Sequence, residues 1–209
     1  MKSIASMIPT LAELQKQTAR ITAPRTVSEA NKQEIRELLS EAGFDCQNES
    51  VYNTILTYGA REAAHINSKG LFLTGPAGIG KTLGVSVLAT KFGWPVLPVA
   101  DIVSAFLERS ETEFQDFISA ADFWGTPRAV VLDDLGTEPL PVNRFGTAYN
   151  VMADVLDVRY RLFLRYGVRT IVTSNLGDED LVKRYGFRMD DRLNQMFDFA
   201  AVTGRSRRA

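Results

Sequence analysis

Residues 75–82 read GPAGIGKT, and this stretch limits what the chain can fold into more than any other. Gly75, Gly78 and Gly80 let the backbone curl tightly, so that consecutive N–H groups converge on one point. The residues before it, LFLT, form a short apolar run expected to be a buried strand. Those after it, Lys81 to Phe92, are expected to be helical. A glycine loop between a strand and a helix N-terminus is an anion cradle, because the helix adds its own partial positive charge. A chance glycine turn would need neither neighbour. The pattern G-x-x-x-x-G-K-[ST] is complete, with Lys81 as a point charge for the outer phosphates of a nucleotide and Thr82 as a hydroxyl ligand for magnesium. The expected phosphate-binding residues are Gly75, Pro76, Ala77, Gly78, Ile79, Gly80, Lys81, Thr82 and Leu83.

About fifty residues on, Ala129 to Gly136 read AVVLDDLG. Four apolar residues ending in an acid are the Walker B pattern, a buried strand that delivers a carboxylate beside the metal. Asp133 is expected to hold magnesium, and Asp134 to act as the general base for an attacking water. Taken alone, Asp-Asp after a strand is a turn signal; its spacing from the glycine loop gives it the functional reading. A third element, TIVTSN from Thr170 to Asn175, is an apolar strand ending in polar groups. Asn175 can set its amide between the γ-phosphate and the water, or cap the helix expected near Asp178.

The fourth element is YGFRMDDRL, Tyr185 to Leu193. Arg188 and Arg192 are four apart and share a helix face. They either pair with Asp190 and Asp191 or reach a neighbouring subunit's nucleotide as arginine fingers. The closing GRSRRA, with Arg205, Arg207 and Arg208, reads as solubilising charge, a nucleic-acid contact or a phosphate sensor. A guanine signature of the N-K-x-D type is absent downstream of the glycine loop, and the NKQE at 31–34 lies upstream and lacks the Asp. ATP is therefore expected rather than GTP.

With 209 residues, the chain has room for one full-sized domain and a short extra segment. A formal net charge of −1 advertises no nucleic-acid or membrane partner, so any such surface has to be local. One cysteine, Cys46, excludes an intrachain disulfide, and with a single histidine, His65, no Cys/His zinc site can form within the chain. Cys46 reads as a small buried hydrophobe and His65 as a packing or surface residue. No signal peptide and no apolar run of about 20 residues is seen, so a cytoplasmic, non-membrane protein is expected.

The first 48 residues differ from the rest. LAELQKQTAR and VSEANKQEIRELLSEAGF read as helices, the second with Ile35, Leu38 and Leu39 at helical spacing and Gly43 as its stop. This segment, 1–48, is either a pair of solvated helices or a partner-docking arm ahead of an ATPase domain at 49–209. A helix is expected from Asn48 to about Ala64. Further elements are a strand at WPVLPV, helices at about Ala100 to Arg109 and Glu111 to Ala121, a strand at Ala129 to Leu132, a long helix from about Thr147 to Tyr166, a strand at Arg169 to Thr173, and short helices to Gln195. Alternating strands and helices predict an α/β fold with an open parallel sheet and its ligand site at the strands' C-terminal ends.

Taken together, GPAGIGKT, VVLDDLG, TIVTSN, YGFRMDDRL and GRSRR resemble the DnaC/IstB family of AAA+ P-loop ATPases, the helicase loaders and transposition helpers, from about Val51 onward. By that resemblance Asn175 is sensor 1, Arg192 the favoured arginine finger with Arg188 beside it, and Arg208 a sensor-2-like arginine. The helices between Ala100 and Ala121 match an insertion implicated in single-stranded DNA contact. Two departures stand out: no separate helical lid domain follows Arg208, and the N-terminal segment carries no zinc-binding cysteines. The resemblance implies an ATP-hydrolysing helicase loader, assembling head to tail as a ring or spiral on single-stranded DNA and binding a replicative helicase. The alternatives are a transposition helper acting on duplex DNA with a transposase, a small-molecule P-loop kinase, and a nucleotide-binding adaptor without turnover.

Overall fold

The computed structural model describes residues 26–44, 49–122 and 125–207. The expected helix at 11–20, Cys46 and Arg208 lie outside them. In chain order the elements are α1 (Glu29–Glu41), α2 (Glu49–Ala63), β1 (Gly70–Thr74), α3 (Lys81–Phe92), β2 (Val96–Pro98), α4 (Val99–Glu108) and α5 (Glu111–Ser119). These are followed by β3 (Val130–Leu135), β4 (Val142–Arg144), β5 (Thr147–Tyr149), α6 (Val151–Tyr166), β6 (Thr170–Ser174), α7 (Asp178–Tyr185), α8 (Phe187–Met196) and β7 (Phe197–Ala201).

Five strands make one parallel sheet in the order β2-β3-β6-β1-β7. Such a sheet is covered on both faces, so its central strands are apolar throughout, and β1 and β6 are buried at every position. The pleat sends alternate residues to opposite faces. Phe72, Leu132 and Val172 point into a core built by α4 to α8. Leu71, Leu73, Val131 and Ile171 point into a second core with α1, α2 and α3. The fold is thus a three-layer α/β sandwich, and the strands' C-terminal ends converge on the glycine loop.

The helices begin where local chemistry sets them. Ser28 caps α1 and Ser110 caps α5, each in a reciprocal capping box, with Asn31 and Glu113 respectively. Ile35 and Leu39, four apart on α1, are fully buried beside Phe44 and Ile55. Burial of each stabilises by about 1.5–3 kcal/mol. Residues 28–44 therefore pack onto the same core that carries β1, their charged side chains on the outer face.

Two parts depart from the sequence expectation. The helix expected from Thr147 begins at Val151; residues 142–149 form an antiparallel hairpin, with Arg144 paired to Thr147. Its two turn residues, Phe145 and Gly146, both have positive φ (51° and 79°). Two-residue hairpins demand that geometry, but Asn-Gly is its usual signature and Phe-Gly hides it. Asn150 then caps α6 by accepting the Ala153 N–H. The second departure is β7, which follows α8 with no intervening turn and pairs with β1 along its whole length.

Candidate nucleotide-binding site

The glycine loop leaves β1 and enters α3 at Lys81. Gly75 must be glycine, because any Cβ there would lie against the backbone oxygen of Val202. Gly80 adopts φ 103°, and a side chain on it would meet the Phe44 ring at 2.7 Å. Ile79 is buried and anchors the loop to the core, whereas Pro76 and Ala77 are exposed at its crest.

Lys81 is buried, and its ammonium donates to the carbonyls of Gly75 (2.7 Å) and Pro76 (2.8 Å) and to Oδ1 of Asn175 (2.7 Å). A buried ammonium needs such partners. Asn175 does not cap the next helix: the α7 cap is Gly177, with no side-chain bond. The amide of Asn175 faces the glycine loop instead.

The two aspartates diverge because of a bulge. β3 and β6 pair Leu132 with Val172 and then Leu135 with Ser174, so two residues on β3 oppose Thr173. A bulge bends its strand and re-aims side chains. Asp133 stays buried and accepts from the Thr82 hydroxyl (3.0 Å) and the Thr173 hydroxyl (2.6 Å). Asp134, at φ 61°, turns outward, while its N–H donates to the same Thr173 oxygen at 2.9 Å. Thr173 thus clamps both halves of the bulge. Sequence reading missed that role, which becomes visible only once the strand register is known.

A cavity of about 610 Å³ joins these groups, lined by Ala77, Gly78, Gly80, Lys81, Thr82, Leu83, Ser86, Asp134, Asn175 and Arg207. A slightly larger one lies elsewhere, among Leu181, Asp190, Asn194 and Phe199, and touches none of this chemistry. Arg207 comes from the closing basic stretch. Its N–H donates to the Gly78 carbonyl (2.8 Å), its guanidinium donates to the Gly43 carbonyl (2.9 Å), and it stacks over Phe44. Residues 202–207 therefore run along the glycine loop and tie it to the end of α1.

Arg188 and Arg192 do not line this cavity. Arg192 is ion-paired with Asp157 of α6 and lies over the Tyr160 ring at 5.3 Å. Arg188 is exposed on α8, beside the exposed Phe187.

Comparison with protein-family models and with curated proteins gives no match. Solved structures do match. A DnaC helicase loader is 20% identical, with a TM-score of 0.53, over 73% of this chain and 90% of that one. DnaI is 21% identical, with a TM-score of 0.55, over 80% and 94%. The chain shares the fold of these helicase loaders. A replication initiator DnaA bound to AMPPCP and single-stranded DNA is 19% identical, with a TM-score of 0.53, over 75% of this chain but 46% of its own length. Within the DnaC-like fold, the cavity beside Lys81 lies at the C-terminal ends of β1, β3 and β6, where open parallel sheets bind their ligands. Among the described residues no helix is long and apolar enough to cross a membrane.

Proposed function

We propose that this chain binds magnesium-ATP at the glycine loop and hydrolyses it, as a replication-associated ATPase of the helicase-loader type. The observation that carries this reading is the convergence of Lys81, Asn175, Thr82, Asp133 and Asp134 across three strand ends. Asp133 is a buried carboxylate that accepts hydrogen bonds from two hydroxyls, those of Thr82 and Thr173. Hard oxygen donors in that arrangement fit a magnesium ion. The ion would neutralise phosphate charge when bound.

The chain's own residues do the rest. Lys81 exchanges the carbonyls of Gly75 and Pro76 for phosphate oxygens. Thr82 and Asp133 hold the metal. Asp134 points into the cavity and accepts the proton of the attacking water, which Asn175 orients. Completion by a neighbouring subunit falls to the exposed Arg188. Arg192, the residue favoured by the resemblance, would first have to leave Asp157 and Tyr160. Ser206 and Arg207 pack against Gly78 and Gly80, and Arg208 keeps the phosphate-sensor role that the resemblance implies.

On this reading protomers join head to tail in ATP and contact single-stranded DNA through α4 and α5, and a replicative helicase is the cargo. The solved structures of similar fold support that choice, being helicase loaders and an initiator carrying single-stranded DNA. The test is ATP turnover of wild type and Asp134→Asn, alone and with single-stranded or duplex DNA. Turnover stimulated by single strands and reduced about 100-fold or more in the variant is expected, with ATP affinity retained. Stimulation by duplex alone would favour a transposition helper, and no turnover under any condition would favour an adaptor.

A further inference from the structure

Glu138 lies five residues beyond the metal-binding Asp133 and takes no part in the chemistry above, yet its carboxylate is almost wholly buried. One oxygen accepts the Gly136 N–H at 2.9 Å. The other accepts the Nε of Arg184 at 2.9 Å and the hydroxyl of Tyr185 at 2.6 Å. Arg184 also donates to the Glu138 carbonyl, and its own carbonyl accepts from Asn150, the cap of α6. Burial, and then the bond to Glu138, hold the Tyr185 hydroxyl well above its ordinary range, so it stays a donor.

The pocket side of this loop is equally tied down. The Asp134 carbonyl accepts the Thr137 hydroxyl (2.8 Å) and N–H (3.3 Å). Gly136, at φ 99°, leaves no room for a side chain against Leu176. Two hydrogen-bonded turns, Asp134–Thr137 and Gly136–Glu138, joined by the chain itself, therefore lead from Asp134 to Glu138 and on to the last turn of α7. One glycine later α8 begins, carrying the exposed Arg188.

A buried ion pair is weak evidence for stability, since apolar packing could hold the same loop. What the carboxylate does that apolar packing cannot is grip two helix-end donors and the pocket loop at once. We propose that Glu138 is a positioning residue that makes the placement of α8, and with it Arg188, depend on what occupies the cavity at Asp134. The proposal rests on the nucleotide reading of that cavity. Coupling of this kind is reciprocal, so a subunit engaged through α8 would tighten nucleotide binding by the same factor.

The test is hydrogen exchange over residues 181–193 with and without a slowly hydrolysed ATP analogue and magnesium, for wild type, Glu138→Gln and Tyr185→Phe. Analogue affinity and thermal midpoint are measured alongside. Wild type should show at least about a fivefold change in exchange on binding. Both variants should bind the analogue within about twofold of wild type and lose that change. Tyr185→Phe keeps the ring and removes one donor, so it separates lost coupling from lost folding. Variants that respond like wild type would overturn the proposal, as would a wild type that binds the analogue with no change in α8. A wild type that binds no analogue would overturn the nucleotide reading itself, and the coupling with it.

Discussion

Two buried cations, Lys81 and Arg159, sit at opposite ends of the same sheet and are held in contrasting ways. Arg159, on α6, is fully buried at the strands' N-terminal ends. Its guanidinium donates to the Thr170 hydroxyl (2.9 Å) and to the carbonyls of Ser119 (3.0 Å), Arg128 (2.9 Å) and Arg169 (3.0 Å), with a longer bond to Ile118. Burial lowers its pKa to about 10, so it remains charged at neutral pH. These partners belong to the last residues of α5, the first residue of β6 and the segments leading into β3 and β6, and a planar fork of five donors satisfies all of them at once. Lys81 is held by two carbonyls of its own loop and one side-chain amide, on the wall of an open cavity. Phosphate oxygens can replace those partners, whereas the partners of Arg159 are a fixed set of backbone carbonyls and one hydroxyl, with no cavity beside the fully buried guanidinium among those described. The same physical requirement, partners for a buried cation, thus produces a bolt at one end and a ligand-exchangeable contact at the other.

The largest expected effect tests the bolt. Arg159→Leu removes the donors of the buried Thr170 hydroxyl and Ile118 carbonyl and of three partly buried carbonyls together, and should cost about 3–5 kcal/mol of unfolding free energy, read from urea denaturation. A loss below about 1 kcal/mol would remove the contrast. Next comes the clamp between the ends of β3 and β6. Thr173→Val removes both bonds to the bulge, and should lower stability by about 1–2 kcal/mol and turnover by about tenfold or more. A fall in stability with turnover intact would make Thr173 purely structural. The smallest effect concerns alkali. Burial raises Tyr58 and Tyr185 above their ordinary value, with the Glu62 charge adding to Tyr58 and the Glu138 bond to Tyr185. The folded state thus favours their neutral forms. That stability is complete below the unfolded pKa near 10 and is lost as pH rises above it. Absorbance at 295 nm should show two of the six tyrosines ionising only with unfolding.

The legible parts of the sequence were those whose chemistry is contiguous. GPAGIGKT and VVLDDLG each combine backbone geometry and side-chain role in one short run, and the structure brings them within hydrogen-bond reach of each other. The parallel sheet followed from strands apolar throughout. Arg159 could not be read, because in VRYRLF it is one arginine among several on a helix, and its partners lie 10 to 41 residues away. Glu138 was hidden for the same reason, its side-chain donors being 46 and 47 residues distant. The contact of Arg207 with the glycine loop depends on β7, whose pairing with β1 delivers residues 202–207 there.

If Lys81 is held for exchange with a nucleotide, losing it should cost binding rather than folding. Calorimetric titration of magnesium-ATP into wild type and Lys81→Ala, with urea midpoints measured on the same preparations, tests it most directly. At least about a hundredfold weaker binding is expected in the variant, with an unfolding free energy within about 1 kcal/mol of wild type. Equal affinity for ATP, or a variant as destabilised as Arg159→Leu, would contradict it.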